Sequence, residues 1–275
     1  MSAAARLGAF LSAWPGVALV EVREAKGSTP REKGAWMLVS PGAIFGTIGG
    51  GQLEFMAIDR AREMIAAGTP QTGLLDVPLG PQIGQCCGGR VVIDIALADA
   101  ALREAVRARM QREEALRPAV FIFGGGHVGH ALAAALSLLP LAVAVVETRA
   151  GMLDGLPASV EARLTAVPEE AVRDAPPGSA FIVLTHDHAL DFLIVAEALA
   201  REDAAYVGMI GSKTKKETLR RWYLKEAGRD ETSFARVVCP IGGAEVKDKR
   251  PAVIAALVAS EVMQALSASS ARGSA

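Results

Sequence analysis

Cys86 and Cys87 stand side by side and are followed by Gly88 and Gly89. Exposed thiols beside glycines can ligate a soft metal, or accept and pass sulfur, once they ionise. A small free cysteine also suits a tight buried turn, and the spacing alone leaves both readings open. The run Gly49-Gly50-Gly51-Gln52-Leu53-Glu54 sets a glycine loop at the start of a helix, where backbone N–H groups favour an anion. A second run, Gly124-Gly125-Gly126-His127-Val128-Gly129, satisfies G-x-G-x-x-G after an apolar strand and at the opening of a helix. Glu147 ends the next strand, 18 residues after Gly129, from where a carboxylate can accept hydrogen bonds from ribose hydroxyls. A nucleotide or another phosphate-bearing ligand is the expected occupant, although glycines also permit close packing of helix on sheet.

The four histidines reinforce that expectation. His127, His130, His186 and His188 all flank the first or fourth strand of the alternating region, which are neighbours at the switch point of a doubly wound sheet. His186, Asp187 and His188 are therefore expected to face His127 across a crevice, where anion or proton handling suits them better than a metal. Lys213 follows the fifth strand and is expected to reach a phosphate at the same edge, with Ser212 as a helix N-cap.

The elements that must position these groups follow from periodicity. Leu7, Phe10, Leu11 and Trp14 fall at i, i+3, i+4 and i+7, so the N-terminus reads as an amphipathic helix rather than a signal peptide. Strands are expected over 17–22, 36–39 and 90–97, with a helix over 52–67 and loops over 26–34 and 78–89. A charged helix over 100–116 reads as a connector. Beyond it strands at 119–123, 141–147, 160–166, 179–185 and 206–210 alternate with helices at 128–139, 168–174, 190–200 and 213–226, the signature of a parallel sheet. The fold class is thus α/β, an N-terminal α+β domain (1–99) and a connector (100–118) before a Rossmann-type doubly wound domain (119–265). The small, polar tail at 266–275 is expected to be disordered.

Bulk properties narrow the function. A formal net charge of −1 argues against a general nucleic-acid or anionic-membrane binder. No window of 18 apolar residues lacks a proline or a charge, so no bilayer span is expected. Three cysteines make no disulfide framework, and a reducing cytoplasm is the expected setting.

Taken together, the motifs resemble a known family. Residues 27–34 (GSTPREKG), 47–54 (TIGGGQLE) and 79–89 (LGPQIGQCCGG) are similar to the N-terminal region of the xanthine dehydrogenase accessory proteins, the XdhC/CoxI family. Residues 123–129, 185–191 and 210–215 resemble its Rossmann half, and 239–242 with 249–255 its C-terminal signature. The paired cysteines point to the XdhC branch. Gly243 and Asp248 depart from the pattern, where a larger apolar residue and a glycine are expected. The resemblance implies an accessory protein rather than an enzyme, one that binds molybdenum cofactor (molybdopterin) as cargo and protects it while a cysteine desulfurase supplies sulfur. It would then deliver the cofactor to the molybdenum-binding subunit of xanthine dehydrogenase, and would itself be a homodimer. Within that reading Cys86 or Cys87 contacts molybdenum, with holding ranked above relaying sulfur. The rivals are an NAD-dependent oxidoreductase, which the fingerprint and Glu147 suggest, and a sulfurtransferase carrying a persulfide on Cys86 or Cys87.

Overall fold

The computed structural model describes residues 2–68, 72–80, 88–243 and 245–273. The chain divides into two compact units, Met1–Glu113 and Glu114–Ala275.

The first unit is an antiparallel sheet between helices. Strands β1 (Ala18–Lys26), β2 (Trp36–Val39), β3 (Ile44–Gly46), β4 (Thr72–Pro78) and β5 (Arg90–Leu97) order as β3-β2-β1-β5-β4. Alternation along the strands divides the apolar residues between two faces. Val20, Val22, Met37, Val39, Ile93 and Ile95 pack with Leu53, Ala57 and Ala61 of helix α2 (Gly51–Ala67). Leu19, Trp36, Leu38 and Phe45 pack with Leu7 and Leu11 of α1 (Ala3–Ala13) and with Val106 and Met110 of α3 (Ala100–Ala115). Strands β3 and β4 were not anticipated, because each is an edge strand with little burial to mark its period.

That packing corrects the reading of residues 100–118 as a connector, since α3 belongs to the first unit through Glu113. Its Arg103 guanidinium donates to the carbonyls of Leu11 (2.9 Å), Trp14 (3.0 Å) and Pro15 (2.5 Å), taking up acceptors left at the carboxyl end of α1. A charged face concealed this, because the buried stripe of α3 is only Val106 and Met110.

The second unit is a six-stranded parallel sheet. Its strands are β6 (Ala119–Phe123), β7 (Ala142–Glu147), β8 (Glu161–Leu164), β9 (Ala180–Val183), β10 (Tyr206–Met209) and β11 (Val237–Val238), ordered β11-β10-β9-β6-β7-β8. This is the doubly wound order, with its switch point between β6 and β9. One face carries α5 (Glu169–Arg173), α6 (His188–Ala200), α7 (Lys213–Lys225) and α8 (Glu231–Phe234) over Phe121, Phe123, Phe181 and Val183. The other carries α4 (His127–Leu136) and α9 (Pro251–Gly273) over Val120, Ile122, Val145 and Ile182.

Helix α9 continues to Gly273, which corrects the expectation of a disordered tail from residue 266. Leu266, where the disordered tail was expected to begin, is buried in the core. By length and composition Pro251–Ser269 could cross a membrane, which the apolar-window reading passed over because Glu261 interrupts it. In this fold Ala255, Val258 and Val262 are buried against the sheet. Glu261 accepts hydrogen bonds from the Tyr206 hydroxyl (2.9 Å) and the Gly242 N–H (2.8 Å). Gly243, atypical in the sequence pattern, takes φ +75°, which a side chain would disfavour.

Candidate functional site

In the first unit three motif loops converge. Ser28 forms a parallel bridge with Gly88. A Cβ on Gly89 would collide with the carbonyl of Ser28 and lie 2.8 Å from that of Lys26, so only glycine allows this approach. Leu79 closes the same loop, donating its N–H to Gly89 O (2.8 Å) and accepting from Gly88 N (2.9 Å). A Cβ on Gly49 would lie 2.5 Å from Pro30 Cβ and 3.3 Å from Arg31 Cγ, which seats the 27–34 loop against the glycine loop. Cys86 and Cys87 lie outside the described residues; Leu79, Gly88 and Gly89 flank them within this cluster. Beside it, Pro30, Arg31, Lys33, Trp36 and Glu113 line an open groove of about 590 Å³.

The glycine loop at the start of α2 holds an anion of its own. The Glu54 carboxylate accepts from Thr47 Oγ1 (2.5 Å), Ile48 N (2.9 Å) and Gly50 N (3.1 Å). Burial alone would raise its pKa, but the Thr47 hydroxyl and the loop N–H groups outweigh burial and hold it below the ordinary value. Gly49, Gly50 and Gly51 have φ of +124°, +76° and +67°, a path open to glycine. Glu54 was expected to meet cofactor; here it shapes the loop, while Gln52 stands exposed in the first turn of α2.

In the second unit Gly124, Gly126, His127 and Gly129 sit where the fingerprint places them, Gly124 and Gly126 between β6 and α4, His127 and Gly129 in the first turn of α4. A Cβ on Gly129 would strike the carbonyl of Gly124, which permits close approach of helix and strand. Glu147 ends β7 as expected, but its carboxylate is only 4% exposed and already fully engaged. One oxygen accepts from Gly125 N (2.9 Å) and Arg149 Nη2 (2.9 Å). The other accepts from Thr148 N (2.8 Å), Arg149 N (3.0 Å) and Arg149 Nε (3.1 Å). Burial opposes ionisation; the Arg149 guanidinium and the N–H groups of Gly125, Arg149 and Thr148 outweigh it and bring the pKa from 4.5 to about 2.

The histidines fall at adjacent strand ends, His127 after β6 and His186 and His188 after β9, all three exposed. Among the described residues no three His, Cys, Asp or Glu side chains are grouped so as to hold a metal. Asp187 is taken up as the N-cap of α6, accepting from Ala189 N (2.8 Å). Ser212 caps α7 as expected, accepting from Lys215 N (3.3 Å), and leaves Lys213 exposed in the first turn. His130 donates to the Met152 carbonyl (2.9 Å); a carbonyl can only accept, so Nε2 carries the proton.

One group escaped sequence reasoning. Asp191, fully buried, accepts from Thr185 N (3.0 Å), Thr185 Oγ1 (2.7 Å) and Lys215 Nζ (2.5 Å). It ties the turn after β9 to α7. The signal was an aspartate one turn inside a largely apolar helix, whose charged partner lies 24 residues along the chain. Cys239 lies close by, and burial raises its thiol pKa against the pull of Lys216 and Lys215.

An α+β unit bearing a three-loop cluster, followed by a doubly wound unit with a fingerprint helix, defines the class of protein. The XdhC Rossmann domain matches residues 120–262, and the XdhC and CoxI family model matches residues 13–77. The chain belongs to the XdhC and CoxI family. It is 26% identical over 257 residues to the uncharacterized protein YqeB of Escherichia coli (strain K12), an alignment covering 90% of this chain and 43% of the relative. The chain thus spans less than half of that relative's length. A solved structure described as a xanthine dehydrogenase from Bacillus halodurans shares the fold, with a TM-score of 0.79 at 17% identity, covering 98% of this chain and 96% of the other.

Proposed function

We propose that this protein carries molybdenum cofactor to a xanthine dehydrogenase and holds it during sulfuration. Membership of the XdhC and CoxI family suggests an accessory role toward that enzyme. The observation that carries the cofactor reading is the convergence of three loops in the first unit: Pro30 and Arg31 on Gly49, and Ser28 on Gly88 and Gly89. Leu79, Gly88 and Gly89, which flank Cys86 and Cys87 along the sequence, belong to that cluster, as does the exposed cation Arg31. The cargo is a soft-metal dithiolene with a phosphate monoester; thiols suit its metal and cations its phosphate. Cys86 or Cys87 would steady the molybdenum. A cysteine desulfurase, the molybdenum-binding subunit of the dehydrogenase and a second copy of this chain are the proposed partners, in the cytoplasm.

The test is anaerobic loading of the purified full chain with freshly released molybdenum cofactor, read as co-eluting molybdenum and fluorescent oxidised pterin. Stoichiometric loading is expected, and replacing both cysteines by serine should reduce retention by tenfold or more, about 1.4 kcal/mol or above. Unchanged retention and unchanged activation of the dehydrogenase in that double variant would sink the role given to the thiols.

A further inference from the structure

We infer that the second unit rejects adenine dinucleotides, because its own groups engage the carboxylate that would take the ribose and cover the glycine loop. In a dinucleotide site the acidic residue ending the second strand offers a free carboxylate to the ribose diol. Glu147 ends the second strand here, and both of its oxygens are consumed by Gly125, Thr148 and Arg149. Turning it toward a ribose would strip acceptors from those N–H groups in a place that solvent barely reaches.

A second, independent obstruction comes from residues 148–156. This turn folds back over the glycine loop, and a Cβ on Gly125 would collide with the Met152 carbonyl. His130 holds that same carbonyl at 2.9 Å. Leu153 and Leu156 anchor the turn by packing against the core beneath α4. Beside Glu147, the pocket bounded by Phe123, Glu147, Thr148, Pro168, Thr185 and Leu190 is too narrow to hold a water molecule. Two of the fingerprint glycines have work without a nucleotide: a Cβ on Gly124 would lie 2.5 Å from Leu184 O, and Gly129 abuts Gly124 O, whereas a Cβ on Gly126 would meet open space. Gly124 and Gly129 are therefore accounted for by how β6, α4 and β9 approach one another.

This inference is independent of the carrier reading, since cargo loading is measured by molybdenum and pterin and nucleotide binding by another titration. The full chain is titrated with NADH, followed by nucleotide fluorescence, and with NAD and ATP by equilibrium dialysis. No saturation is expected up to on the order of 1 mM. One-to-one saturation below that concentration overturns the inference. Hydrogen exchange gives a second readout: the amides of Gly125, Thr148 and Arg149 should be protected in the free protein and unaltered by NAD. A nucleotide-dependent change at those amides overturns it as well. The variant Glu147→Gln separates the two roles of the carboxylate. It should lower the melting temperature and speed exchange across 148–156 with nucleotide titrations still flat, whereas a ribose-binding glutamate would show measurable affinity in the unaltered chain and lose it in the variant.

Discussion

The two glycine loops meet the same local need by different routes. At Gly49–Gly51 the loop N–H groups are satisfied by Glu54, which rides on the very helix the loop opens and lies four residues from Gly50. At Gly124–Gly126 the glutamate comes from the next strand, 22 residues from Gly125, and brings Arg149 and the following turn with it. The first arrangement is local and partly exposed, so it can rearrange while the sheet behind it stays intact. The second joins β6, β7 and the 148–156 turn, and cannot open without disturbing the unit's core. The contrast teaches that a glycine-rich helix start can be satisfied from its own helix or from a distant strand, and that the reach of the carboxylate holding it sets how much of the unit moves when it opens.

Several substitutions sharpen or break this comparison. Glu147→Ala should produce the largest effect, a loss on the order of 3–4 kcal/mol in denaturant unfolding of the second unit, because it leaves buried N–H groups and a guanidinium without their acceptor. An acid titration gives the same contrast without mutation. The pKa of Glu147 is depressed in the folded state, so its contribution is full above about pH 4.5 and is lost as pH falls toward about 2. Stability of the unaltered protein should therefore decline through that window, and Glu147→Gln should flatten the decline. Gly125→Ala should cost about 1–3 kcal/mol by pushing Met152 away, seen as faster proteolysis within 148–156. Glu54→Ala should cost only about 1 kcal/mol, at the level of a lost helix cap, and should leave the second unit's unfolding unchanged. Equal losses for Glu54→Ala and Glu147→Ala would erase the distinction between the loops.

Much of this organisation was legible in the sequence because it rests on short-range rules. The pattern of β6, α4 and β7 follows from apolar runs, glycines and the spacing to Glu147, and the switch point follows from strand–helix alternation. Ser212 as a cap needed only its place before a helix. What could not be read depends on contacts distant along the chain. That Glu147 is consumed rather than free depends on where Arg149 and the 148–156 turn fold. That Asp191 pairs with Lys215 depends on β9 and β10 lying side by side. Strand β11 has two residues, too few to carry a period, and is fixed by pairing with β10. In the first unit, the approach of Ser28 to Gly88 joins segments 60 residues apart and left no local trace.

The grip of Arg103 on the end of α1 has a practical consequence for anyone wishing to study the first unit alone. A fragment cut at residue 99, where composition suggests a boundary, would lose the three guanidinium hydrogen bonds to Leu11, Trp14 and Pro15 and would uncover the apolar side of α1. A fragment extended to Glu113 keeps both, and retains the hydrogen bond from the Trp36 indole to Glu113 (3.3 Å). Soluble expression should therefore switch on between those two end points.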